Sequence, residues 1–308
     1  MGPVASLAGR DIGQDFSGKD GWSMYHGSGV PGFPSHPHRG FETVTIVREG
    51  RIDHSDSAGA TARFGDGDVQ WLTAGKGIVH CEMFPLLHRD KPNPTELFQI
   101  WLNLPAKSKM SAPHFTMFWN ESIPKQVIKD ANGKLTHIAC IAGDLTSSPS
   151  LPPPPDSWAS QPDSDLSILT IKMAPGGVWT VPPAKGPETK RLLYFFKGSR
   201  LNISGRDIDP KSAIEISAIL PVEVINGETE SEMLFLQGRP IGEPVAQYGP
   251  FVMNTQAEIH QAFADYRRTE FGGWPWGSSD PVHPREKGRF AIHPDGRLEE
   301  PIASALQP

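Results

Sequence analysis

A chain of 308 residues is long enough for two core-bearing domains. Its 31 glycines and 31 prolines suit short strands joined by tight turns and argue against a helical bundle. A net charge of −6, with no block of like charges, argues against a general phosphate-binding surface and so against direct nucleic-acid binding.

The two cysteines, Cys81 and Cys140, exclude a disulfide scaffold and fit a reducing compartment, so free thiols and a cytoplasmic location are expected. The N-terminal residues 1–13 have neither the basic start nor the apolar core of a secretory signal. Their formal match to a myristoylation pattern is discounted because Pro3 follows the glycine. No segment has the apolar length of a bilayer span.

From Phe41 to about Ala142 the chain reads as successive strands. Thr43-Val44-Thr45-Ile46-Val47 is β-branched throughout, and Gly50 breaks it. Ser57-Ala58-Gly59 and Gly65-Asp66-Gly67 read as turns, and Asp68 to Leu72 as a strand. Ile78 to Met83 follows the turn at Gly75-Lys76-Gly77, and Leu97 to Leu104 reads as a central strand. This spacing predicts a sandwich or barrel. The proline run from Pro149 to Pro155 reads as an interdomain connector. Strand rhythm then resumes at 167–171, 178–181, 191–196, 222–224 and 232–236, as a second copy of the same architecture.

The expected organisation is therefore a metal-binding domain over 1–148, a second domain over 149–253, and a helix with an extended tail over 254–308. Thr255 and Glu258 have capping-box spacing, and Ile259, Ala262, Phe263 and Tyr266 form a helical packing stripe. The tail is expected to lie extended on the surface, with Trp274 and Trp276 buried as anchors and His283 and His293 solvated.

Two short runs carry the chemistry. His36-Pro37-His38 and His80-Cys81-Glu82 each place two ligand types at i and i+2, which share one face of a strand. Three imidazoles and one carboxylate suit a divalent transition metal such as Fe(II), Mn, Ni, Cu or Zn. On an octahedral ion, four protein ligands leave positions open for water, substrate or dioxygen. The other histidines, His54 included, lack paired spacing and are read as structural. No histidine lies between His137 and His260, so one metal per chain is expected.

Several longer runs resemble the pirin family. They are the stretch from His36 through Arg39-Gly40-Phe41-Glu42 to Thr45, the stretch from Gly67 through Gln70-Trp71-Leu72 to His80, and Gly249 to Thr255. The resemblance implies an all-β bicupin, with two jelly-roll-like cupin barrels face to face in one chain. It also implies that only the N-terminal barrel binds metal, usually iron, through His36, His38, His80 and Glu82. Glu42 is not a ligand in that pattern. Cys81 stands where the family often has serine.

Pirins resemble quercetinases, so the expected activity is Fe(II)-dependent 2,3-dioxygenation of a flavonol such as quercetin. Dioxygen and a small aromatic molecule would be the substrates of a monomeric enzyme. Glu82 would then take the proton of the substrate's 3-hydroxyl, with Phe33 and Gln99 lining the site. The alternative implied by the family is a redox-sensitive regulator acting through contacts with a protein partner.

Overall fold

Strands are the main regular elements of the computed structural model, which describes residues 30–146 and 149–302. The N-terminal residues 1–13 lie outside the described residues. In the first unit, β1 (Gly32–His38), β2 (Phe41–Glu49), β3 (Arg51–Asp56), β4 (Thr61–Gly65), β5 (Val69–Thr73), β6 (Ile78–Met83), β7 (Glu96–Asn103) and β8 (His114–Phe118) follow in order.

The second unit comprises β9 (Lys125–Lys129), β10 (Leu135–Ala142), β11 (Ser167–Met173), β12 (Val178–Val181), β13 (Lys190–Lys197), β14 (Leu201–Ile203), β15 (Arg206–Ile208), β16 (Ser212–Glu215), β17 (Val222–Asn226) and β18 (Ser231–Gly238). The chain then returns to the first unit with β19 (Ala246–Tyr248), β20 (Phe251–Met253), α1 (Gln256–Thr269), β21 (Phe290–Ile292) and β22 (Leu298–Glu299).

Two larger antiparallel sheets form the body of the first unit, in the orders β1-β6-β3-β4-β21-β22 and β7-β2-β5-β8, and β19 pairs with β20 in a third, two-stranded sheet. Val47, Ile52, Ala62, Phe64, Leu72, Ile78 and Met117, drawn from both sheets, form one buried cluster. The second unit has the same two-sheet plan, in the orders β16-β13-β18-β11-β10-β9 and β12-β17-β14-β15. Its core is apolar, with Trp179, Phe195, Met233 and Phe235 among its largest members.

The compact units are Met1–Glu121 with Glu243–Pro308, and Ser122–Gly242. They do not divide at the proline run. β10 lies before that run and β11 after it, yet the two pair from Thr136 opposite Met173 to Ala142 opposite Ile168.

The helix has the expected capping box, with the Thr255 side chain accepting from the Glu258 amide. Ile259 and Ala262 are buried against Phe251 and Met253. The tail does more than lie extended, since β21 pairs with β4. Trp274 and Trp276 are only half-buried, and the Trp276 indole donates to the Asp56 carbonyl at 2.9 Å. His293 is buried, with Nε2 2.7 Å from Glu299. His283 meets the Thr61 hydroxyl at 3.0 Å. Neither is a solvated loop histidine.

The tail is anchored by the buried Arg63, which forms a two-pronged pair with Asp53 at 2.6 and 2.7 Å. The same guanidinium donates to the carbonyls of His283, Pro284 and Lys287. Among the described residues no helix is long and apolar enough to cross a membrane.

Candidate metal centre

β1 and β6 are antiparallel neighbours, with His36 opposite His80 and His38 opposite Ile78. The i, i+2 spacing therefore delivers His36, His38 and His80 to one interior face. Their ring centroids stand 4.5 to 4.9 Å apart. One nitrogen from each ring lies within 4.8 Å of the others, the one such three-residue cluster among the described residues. Two nitrogens about 2.1 Å from a common ion lie ~3 to 4 Å apart, so small ring rotations would close the triad.

His80 is fully buried, and neither of its ring nitrogens has a protein partner among the described residues. The Nε2 of His38 is likewise buried and unpartnered. Such lone pairs are costly to bury unless something occupies them. Burial holds the His38 imidazole neutral, with a pKa pushed down to about 3, and the neighbouring His36 adds to the effect. Burial also lowers His80, reinforced by His36, His38 and His54. Neutral imidazoles with free lone pairs are the form that binds metal. The residues present fit a divalent ion.

His36 is fixed by an Nδ1 contact to the Pro34 carbonyl at 2.8 Å, a bond that leaves Nε2 as the ligating nitrogen. The end of β1 is clamped by the next residue. Arg39 is buried, donates to the Lys76 carbonyl at 2.7 Å and to Asp265 of α1 at 2.9 Å, and stacks over Phe271. Gly40 follows with φ +84°, and a Cβ there would collide with the Val252 carbonyl. Lys109 caps this corner, donating to the carbonyls of Gly40 and Val252 and to Asn103.

Glu82 shares the inward face of β6 with His80, but its carboxylate is not among the converging atoms. It is buried and accepts from Gln99 Nε2 at 2.9 and 2.7 Å and from the Thr45 hydroxyl at 3.3 Å. Gln99 is thus placed beside Glu82. Phe33 lies within β1, its ring 5.9 Å from His36. Glu42 faces away and accepts from Thr73 at 2.6 Å.

Sequence reasoning missed three neighbours. His54 is fully buried, 5.5 Å from His80 between ring centroids, and its Nε2 meets Asp56 at 3.0 Å. The I-x-H-x-D alternation of β3 carried that signal. Phe41 stacks at 4.3 Å on Trp101, whose ring is 5.5 Å from His38. Trp101 is 42% exposed and Gln99 is exposed too, so the cluster is approached across these two side chains. Among the described residues the segment read as a central strand is the edge strand β7, paired only with β2, and both side chains are open to solvent there.

Both cysteines are buried free thiols. Cys81 alternates away from the cluster, and burial pushes its thiol up to about 12.

Comparison with known proteins agrees with this architecture. The pirin family model matches residues 11–102, and the pirin C-terminal cupin model matches residues 168–272. A pirin-like protein of Caulobacter vibrioides is 36% identical over 78% of this chain and 80% of its own. Human pirin is 35% identical, with 80% of each chain covered. A crystal structure of quercetin 2,3-dioxygenase from Acinetobacter baumannii superposes with a TM-score of 0.69 at 32% identity, covering 79% of this chain and 80% of that one.

Proposed function

The chain belongs to the pirin family, and on that footing we propose that it is an iron(II)-dependent dioxygenase that opens the central ring of a flavonol such as quercetin. The observation that carries this reading is the cluster of three converging imidazoles, two of them held neutral by burial, beside the exposed ring of Trp101. The similarity to the Acinetobacter enzyme adds the substrate class.

His36, His38 and His80 hold the ion in this reading, with Glu82 as the carboxylate beside them. When bound, the ion supplies Lewis acidity toward the substrate's 3-hydroxyl oxygen and a template on which substrate and dioxygen meet. Glu82 is the interior carboxylate bonded to residues at the open edge, so it takes the 3-hydroxyl proton. Trp101, exposed and backed by the buried Phe41, offers its ring to the substrate, an arrangement that suits offset stacking. Phe33, edge-on to Phe84 and 5.9 Å from the His36 ring, is the other aromatic neighbour of the cluster in this reading.

The test is anaerobic purification, reconstitution with iron(II) and a quercetin turnover assay with carbon monoxide detection. One carbon monoxide released per flavonol consumed supports the reading. Full iron loading without turnover of any flavonol refutes it and leaves regulation through a protein partner as the function to pursue.

A further inference from the structure

Two further buried side chains, His54 and Asp56, stand beside the three histidines. The His54 ring is pinned twice. Its Nε2 meets the Asp56 carboxylate at 3.0 Å, and the ring stacks on Phe115 with centroids 5.4 Å apart. Asp56 is pinned in turn. Its Oδ1 accepts from the Ala58 and Ala60 amides at 2.9 and 3.0 Å, while Oδ2 faces the imidazole.

A carboxylate accepts and does not donate, so the proton of the neutral His54 ring sits on Nε2 and Nδ1 presents a lone pair. That Nδ1 is buried, with no protein partner among the described residues. His80 has the complementary need. A ligating imidazole gives one nitrogen to the ion and keeps a proton on the other, and that N–H requires an acceptor. Both His80 nitrogens are buried without a protein partner among the described residues. β3 and β6 pair with Asp56 opposite His80, and the His54 and His80 ring centroids stand 5.5 Å apart. An N–H···N bond of about 3 Å between two imidazoles sets their centres ~5 Å apart, so a small turn of His80 closes the gap.

Resting on the metal reading above, we infer that Asp56 and His54 are positioning residues that fix the tautomer and orientation of His80 for the ion. The Asp56 carboxylate holds the His54 proton on Nε2. The His54 Nδ1 lone pair accepts from one His80 nitrogen, and the other His80 nitrogen is left bare for the metal. No proton changes place along this chain.

The experiment is an anaerobic Co(II) titration of the metal-free full chain, read by affinity and by the visible absorption of the bound ion. It compares wild type, Asp56→Asn, His54→Phe and the double variant, with circular dichroism to confirm folding. Asparagine keeps the shape of aspartate. Its carbonyl stays on the two amides, so its NH2 group faces His54 Nε2 and moves that ring's proton to Nδ1. The His54 Nδ1–H then opposes the His80 N–H. Asp56→Asn is expected to weaken Co(II) binding by about ten- to a hundredfold, the scale of losing a partner behind a ligand, and to shift the visible bands. Phenylalanine at position 54 keeps a ring packed on Phe115 and has no nitrogen. In the His54→Phe background, Asp56→Asn should change neither readout further. Nitrogen NMR of the histidine rings in Zn(II)-loaded wild type supplies a measurement that needs no variant. It should show His54 protonated at Nε2 and bare at Nδ1.

A His54 ring protonated at Nδ1 in that spectrum overturns the inference. So does an equal loss of affinity from Asp56→Asn with and without His54. Failure of wild type to bind Co(II), iron(II) or any other divalent ion overturns the metal reading and this inference with it. Binding by wild type that folded Asp56→Asn leaves unchanged or tightens overturns only the inference.

Discussion

Acidification should destabilise the metal-free first unit through its histidines. His38 is 3% exposed and its pKa is held near 3 by burial, against about 6.5 in an unfolded chain. The folded state therefore binds fewer protons than the unfolded state between these values, and stability rises with pH across that window. It is fully present above pH 6.5 and is lost as pH falls toward 3. Moving from pH 7 to pH 5 removes about 2 kcal/mol for His38 alone, from the ratio of proton binding in the two states. His80 acts in the same direction, since burial lowers it too.

The assay is urea unfolding of chelator-treated protein at both pH values, read by hydrogen exchange in peptides from β1 and β6, so that the second unit's transition does not enter. A His38→Gln variant keeps a polar side chain but cannot titrate. Its loss between pH 7 and pH 5 should be smaller than that of wild type by about 2 kcal/mol. Equal losses in the two proteins would refute the claim that a neutral, desolvated imidazole stands at His38.

Replacing Glu82 with glutamine should lower flavonol turnover per bound metal by about a hundredfold, the scale of losing a general base; unchanged turnover per metal rules out the base role. Cys81 and Cys140 are buried free thiols, with burial raising both, so a thiol reagent should label neither in native protein and both after unfolding. Rapid native labelling would contradict their burial. Thr255→Ala removes the N-cap that accepts from Glu258 and should cost ~1 kcal/mol of local stability at α1 by hydrogen exchange.

The ligand strands were legible because alternation with period two is a local property. His36, His38 and His80 meet as the spacing requires, and the capping box of α1 sits at Thr255 and Glu258 as read. Less visible was what depends on pairing between distant strands. Phe33 and His36 are three apart, which alternation would place on opposite faces. The register shift between them in β1 pairs Phe33 with Glu82 and His36 with His80, because a bulge inserts one extra residue.

Gln99 and Trp101 face the site because β7 lies beside β2 at the edge of its sheet, a position that nothing within 97–104 encodes. The tail strand β21 needs β4, more than two hundred residues earlier in the chain, to form at all. His54 was legible in principle, since Ile52, His54 and Asp56 alternate like the ligand strands. A single histidine in such a run looked like an ordinary core residue, and its partner His80 lies on another strand.

The most direct test of the metal centre is elemental analysis of anaerobically purified protein, comparing wild type with the triple variant His36→Ala, His38→Ala, His80→Ala. One transition-metal ion per wild-type chain, and none in a folded triple variant, is the predicted result. Two ions per wild-type chain, or an ion retained by the triple variant, would contradict a centre built on these three histidines.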